Sequence, residues 1–273
     1  MDLLSVHTLA PDVLGALFGV GLLAGFVDAI AGGGGLLTLP ALLWAGLSPA
    51  ESLATNKLQS SFGSFSAALK FTRGGAVRPR DMVWMIACTF AGSAAGAVLV
   101  QRLDPGFLRN VIPVLLVGIA VWLMLTPKAG DIDARQRIGE RAFALLAGTG
   151  VGFYDGFFGP GTGTFFAMAF VSLLGFNLRK ATAHTKVLNF TSNIAALLFF
   201  LMGGHIVWAA GLLMGVGQSL GAQLGAQMVI RNGAAIVRPM LVVASLAITA
   251  KLLWSDEQGY VRAAIAALAS WLA

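Results

Sequence analysis

The sequence predicts an all-α polytopic integral membrane protein of two pseudo-symmetric repeats with glycine-broken helices. Three observations carry that expectation. The 273 residues are 57% hydrophobic and 11% charged, with a mean hydropathy of +0.82. A soluble domain carries roughly 25% charged residues, and a surface this poor in charge does not suit water. The chain also repeats itself. GFVDAIAGGG at 25–34 matches GFYDGFFGPG at 152–161, with identity at Gly25/Gly152, Phe26/Phe153, Asp28/Asp155, Gly32/Gly159 and Gly34/Gly161. Two residues later in register, Gly46/Gly175, Lys57/Lys186, Phe71/Phe200, Gly92/Gly221, Gly96/Gly225, Arg102/Arg231 and Arg109/Arg238 pair as well. Finally, Gly32–Gly35 and Gly159-Pro160-Gly161-Thr162-Gly163 interrupt the apolar runs at matching places. A duplicated unit with interrupted helices is the sequence mark of a secondary transporter, whose site lies where the halves meet.

Taken in order, the first repeat occupies 1–127. Residues 12–31 are an apolar stretch of spanning length, since a span needs about 20 residues. A short segment follows at 35–46, then full-length stretches at 52–71, 82–101 and 107–126. A polar link at 128–141 carries four basic and three acidic residues. The second repeat, 142–255, recapitulates the order at 142–158, 163–175, 182–202, 206–230 and 236–254. The tail, 256–273, is apolar over much of 259–272 and reads as an interfacial helix or a short final span. No Lys or Arg precedes Lys57, so no basic region marks an ordinary signal peptide and the first apolar stretch is expected to stay in the fold.

The short segments decide the symmetry. Re-entrant segments make the repeats parallel, whereas crossing segments make them inverted. Matching loops carry opposite charge bias. Loop 70–80 holds Lys70, Arg73, Arg78 and Arg80 while its counterpart at 203–206 holds no Lys or Arg, and Arg179-Lys180 answers a loop with only Glu51. Inverted repeats with the N-terminus outside place twelve loop cations inside and two outside, against an eight-to-six split for parallel repeats. The positive-inside rule favours the inverted arrangement with the N-terminus outside.

Four ionisable residues fall within or beside the spans: Asp28, Lys57, Asp155 and Lys186. A charge at the bilayer centre costs roughly 2.5–3.5 kcal/mol on insertion scales, so such groups pair or face a cavity. Two readings stay open. The residues form structural ion pairs, within each half or across the halves, or the lysines attract an anionic substrate while the acids balance charge or carry protons. The glycine runs expose backbone N–H groups at the start of a following helix, which suits an anion. Gly33, Gly34 and Gly35 in one half and Gly161, Thr162 and Gly163 in the other are the candidate contacts. For Gly92/Gly96 and Gly221/Gly225, close helix packing is the preferred reading.

Polar residues crowd both lysines. Asn56, Lys57, Ser60, Ser61 and Ser64 share one helical face, and so do Lys186, Asn189 and Asn193. They suit oxyanion oxygens, and equally serve as interhelical hydrogen-bond partners. His184 is a further candidate for charge balance or proton coupling. No Cys/His cluster or HExxH pattern suggests a metal. No GK[ST] follows the glycines, so a Walker-type phosphate loop is excluded. The single Cys88 excludes an intrachain disulfide. The net charge of +6 is scattered over short loops and does not suggest nucleic acid. No cofactor is expected. The expected partners are a small anion, the bilayer, a coupling ion such as a proton, and a second copy in a homo-oligomer.

The run GFVDAIAGGGGLLTLPALL, then ATNKLQSSFGS, then GFYDGFFGPGTGTFF, then HTKVLNFTSN closely resembles the TauE/SafE sulfite-exporter family, also called TSUP, over roughly 12–255. The resemblance implies a bacterial inner-membrane permease for small sulfur-containing or carboxylated anions such as sulfite or organosulfonates. It places family motifs on Asp28, Gly32–Gly35, Asn56 and Lys57, and on Asp155, Gly159, Gly161, Lys186 and Asn189. An anion channel on the same scaffold is the main rival. A membrane-embedded enzyme has little support, because only His184 and nearby hydroxyls offer a nucleophile–base pair.

Overall fold

The computed structural model describes residues 9–104, 106–108, 112, 115 and 133–232. No strand occurs among the described residues. Helix α1 spans Pro11–Ala31, α2 Gly35–Trp44, α3 Pro49–Arg73, and α4 Val83–Val100 after a 3-10 turn at Pro79–Met82. A short α5, Glu140–Phe143, runs through a π-helical turn, Ala144–Gly148, into α6, Thr149–Phe157. Then come α7, Thr162–Leu174, α8, Leu178–Gly203, and α9, Trp208–Asn232. The expected spans at 107–126 and 236–254 lie almost wholly outside the described residues, as do the tail and the start of the polar link.

Helix ends have local causes. Gly32 takes φ +79° and closes α1, with its N–H donating to the Asp28 carbonyl. Gly161 takes φ +85° immediately before α7. A side chain at either position would strain the backbone. Helix α3 begins three residues earlier than apolar patterning suggests, because Ser48 and Glu51 form a capping box and Pro49 suits the first helical position. Asn177 likewise caps α8 by accepting from the Lys180 N–H. Ser48→Ala is expected to cost about 1 kcal/mol, read as a lower Tm of purified protein, while Ser48→Asp stays near wild type.

Among the described residues, three helices are long and apolar enough to cross a membrane: Pro11–Ala31, the Pro79–Val100 stretch and Leu178–Gly203. Helices α3 and α9 reach similar lengths but are more polar. The polar residues of α3 and α8 crowd inward, and Gln218 of α9 is buried with them. Asn56, Lys57, Gln59, Ser61 and Ser64 of α3 are buried, as are Thr185, Lys186, Asn189 and Ser192 of α8. The outer surface carries Leu23, Trp44, Phe65, Trp84, Trp208 and Leu224. Polar inside and apolar outside is the arrangement a lipid solvent selects.

Packing exchanges partners between the sequence halves. Helix α1 lies along α9, α4 lies along α6, and α3 contacts both α8 and α9. Glycines make the first two contacts close. A Cβ on Gly25 would overlap the Gln218 carbonyl of α9, and one on Gly221 the Leu22 carbonyl of α1. Across the other pair, Gly92 and Gly96 sit against the Thr149 and Phe153 carbonyls, and Gly156 against Ser93. The preferred packing reading of Gly92, Gly96, Gly221 and Gly225 matches these contacts.

Candidate functional site

Four helix ends converge on one buried point. Helix α1 stops beside Asp28 and α2 restarts at Gly35. Helix α6 stops just after Asp155 and α7 restarts at Thr162. The two glycine segments meet backbone to backbone, since a Cβ on Gly32 would collide with Gly163 and one on Gly163 with Gly32. Thr164 Oγ1 donates to the Ala31 carbonyl at 2.7 Å and ties α7 to the end of α1. Each segment needs glycine here because no side chain fits between them.

The ion pairs cross between the halves. Lys57 of α3 donates through Nζ to Asp155 Oδ1 at 2.9 Å and to the Asp155 carbonyl. Lys186 of α8 donates to Asp28 Oδ2 at 3.0 Å and to the Asp28 carbonyl. Of the pairings left open by the sequence, the within-half alternative, Asp28–Lys57 and Asp155–Lys186, is therefore not the one adopted. Both lysines are almost wholly buried, at 0% and 1% exposure. Each ammonium lies at the carboxyl end of the opposing half's first helix, where the helix dipole favours a cation. A carboxylate, a carbonyl and a helix carboxyl end thus converge on each lysine.

The two acids are held differently. Asp28 Oδ1 accepts the Gly34 N–H at 3.2 Å, and Oδ2 takes Lys186. Asp155 Oδ1 accepts both Lys57 and the Thr162 hydroxyl, the latter at 2.9 Å, which leaves Oδ2 buried without a partner. Asn189 Oδ1 is likewise buried and unpartnered. Both residues line a cavity of about 20 Å³, together with Asp28, Asn56, Ser60, Asn193 and the glycine-segment residues Gly32, Gly35, Gly159, Thr162 and Gly163. That volume suits one water-sized occupant.

Of the expected site residues, the cavity thus gathers Asn56, Ser60, Gly35, Thr162, Gly163, Asn189, Asn193 and both aspartates. Lys57 and Lys186 sit behind the carboxylates and not on the cavity wall. Gly33, Gly34 and Gly161 shape the turns beside it, with the Gly34 N–H held by Asp28. His184 is placed elsewhere: its ring packs 4.9 Å from Phe176, and Nδ1 is 2.8 Å from the Lys180 carbonyl. Ser61, Ser64, Thr182 and Thr191 bond back to carbonyls of their own helices. Patterning missed Thr38, whose hydroxyl donates to Asn56 Oδ1 at 2.6 Å and fixes the amide. Thr38 stands alone as a polar residue in an apolar segment, which was the available signal. Among the described residues no group of three or more His, Cys, Asp or Glu side chains comes together.

The model of the sulfite exporter TauE/SafE family matches residues 17–252. The chain is 52% identical to the "Probable membrane transporter protein YfcA" of Escherichia coli (strain K12) over 253 residues, covering 93% of this chain and 94% of the relative. It is 49% identical to a "Probable membrane transporter protein" of Haemophilus influenzae over 249 residues, covering 91% and 97%. A "Sulfite exporter TauE/SafE family protein 6" of Arabidopsis thaliana is 33% identical over 127 residues, 43% of this chain and 29% of the relative. No solved structure matches significantly. The family match spans both glycine segments and both lysines, and the chain belongs to the TauE/SafE sulfite exporter family of membrane transporters.

Proposed function

We propose that the protein is a secondary transporter of small anions, sulfite or organosulfonates first among them, multi-pass in the bacterial inner membrane, with its site between two inverted repeats. The observation that carries this reading is the pair of buried lysines, each held by an aspartate of the other half around one cavity. No nucleotide motif occurs in the chain, so an ion gradient or the membrane potential drives movement. Each lysine is balanced by one carboxylate. A cavity of about 20 Å³ is too small for an anion of several heavy atoms, so the glycine segments part to admit substrate. An entering oxyanion takes the ammonium and glycine N–H donors in place of the carboxylates.

Helix order supports the repeat reading. A long, a short and two long helices occur as α1 to α4, and the order recurs from α5–α6 to α9. Each half's first helix packs on the fourth helix of the other half, as a two-fold relation requires. Inversion is tested with single cysteines on a Cys88→Ser background. Arg78→Cys and Arg179→Cys are expected to label from inside, Ala50→Cys and His205→Cys from outside. Parallel repeats would instead put positions 50 and 179 on one side.

Flux of sulfite and of several organosulfonates into proteoliposomes tests the function itself. Saturation and accelerated counterflow are the expected results. A linear, non-saturating flux would identify the rival anion channel. Flux confined to carboxylates would move the substrate to other small anions.

A further inference from the structure

We infer that Asp155 is the proton-binding site that couples anion movement to protons, one proton per monovalent anion, and that Lys57 is the lysine its protonation frees. The inference rests on the anion-transport reading and adds which half switches. Its starting point is the asymmetry of the two pairs. Both oxygens of Asp28 are occupied, one by Lys186 and one by the Gly34 N–H. Asp155 is 2% exposed, and its Oδ2 has no partner. The other orphan at the same cavity, Asn189 Oδ1, is also an acceptor. Two buried acceptors that share a cavity lack a hydrogen, and burying such groups unpaired is unfavourable. A proton on Oδ2 supplies it, donating to Asn189 directly or through one water, for which the cavity has room.

Charge balance makes the step productive. The resting pair is Lys57 ammonium and Asp155 carboxylate, net neutral. Taking up one proton converts the carboxylate to a carboxylic acid and leaves the ammonium unbalanced. A monovalent anion then restores neutrality against Lys57. Both states avoid an uncompensated buried charge, which either ion alone would create. No bond other than O–H forms or breaks. The charged and titratable surroundings are few. Lys57 comes from α3, Lys186 from α8 but already on Asp28, and Asp28 faces the same cavity from α1. Tyr154 is adjacent on α6, with its hydroxyl donating to the Pro160 carbonyl. Helix α7 carries no acidic or basic side chain, and α4 contributes only Cys88, near Gly148.

Infrared difference spectroscopy of lipid-embedded protein tests the site without relying on transport. Acidification should raise the C=O band of one protonated carboxyl, and methanesulfonate, a permanent anion that carries no proton itself, should increase it. Asp155→Asn should abolish the band and Asp28→Asn should leave it. Thr162→Val should retain it at higher frequency, because Oδ1 loses a donor. In liposomes, inward methanesulfonate flux should acidify the lumen, and Asp155→Asn should eliminate that acidification. The inference is overturned by a band that survives Asp155→Asn, by its absence in wild type, or by flux without acidification. Should Asp155→Asn not fold, an unmoved band in Thr162→Val overturns it equally. Wild type that moves no anion sinks the transport reading, while the infrared band still decides the proton site.

Discussion

Replacing Lys57 by Met together with Asp155 by Asn is expected to abolish saturable anion flux while the protein remains folded. The paired design matters. Removing Lys57 alone strands a buried carboxylate, and breaking a buried ion pair from one side costs about 3–5 kcal/mol. Lys57→Ala/Lys186→Ala would strand two. A neutral Met–Asn pair leaves no orphan charge and keeps most of the volume, so any change in flux reports on charge and not on collapse. A charge-assisted hydrogen bond contributes about 1.5–3 kcal/mol, so losing the ammonium weakens half-saturation by roughly ten- to a hundredfold before any effect on translocation. Lys186→Met/Asp28→Asn is the companion. The Asp28 pair is closed by the Gly34 N–H, so this variant should lose less flux than its counterpart. Monodispersity and Tm are measured alongside flux in liposomes. Wild-type flux in both neutral variants would reduce the lysines to structural ion pairs.

Much of this site was legible in the sequence, and the limits have physical causes. Asp28, Lys57, Asp155 and Lys186 stood out because charge in an apolar run demands a reason. Glycine runs marked the ends of α1 and α6 because φ near +80° excludes other residues. The partner choice was not legible. Periodicity places Lys57 on a helical face, but whether that face meets Asp28 or Asp155 depends on how α1 packs on α9 and α4 on α6. Nor could composition separate Asn56, Ser60, Asn189 and Asn193, which reach the cavity, from Ser61, Ser64 and Thr191, which bond to the preceding turn. A hydroxyl four residues past a carbonyl readily bonds back to it, so hydroxyls near a lysine overcount a site. His184 shows the same error for a titratable group. Two phenylalanine rings, from Phe170 and Phe176, enclose it away from the cavity.

Gly25→Leu and Gly156→Leu are expected to give no monodisperse protein, whereas Gly15→Ala and Gly19→Ala leave Tm unchanged or slightly raised. Three of these glycines lie in α1 and the fourth, Gly156, in α6. Their surroundings separate them. A Cβ on Gly15 or Gly19 meets nothing within 4 Å, and Ala is the better helix former by about 1 kcal/mol. On Gly25 a Cβ overlaps the Gln218 carbonyl of α9, and on Gly156 the Ser93 carbonyl of α4. Backbone cannot move aside as a flexible side chain can, so the helices must separate. Lipid tails are as apolar as leucine, and no hydrophobic drive pushes membrane helices back together. Close contact is most of what holds α1 to α9 and α4 to α6, and Leu removes it over the neighbouring turns. Gly25→Ala tests the graded case: overpacking by one methyl typically costs about 1–3 kcal/mol, seen as a lower Tm in protein that still assembles. Because Asp28 lies one turn beyond Gly25, the same outward shift of α1 lengthens the Lys186–Asp28 pair, so flux should fall together with Tm. Equal stability of Gly25→Leu and Gly19→Ala would mean that α1 is held by something other than this contact, and the Asp28 pair would then be the first candidate.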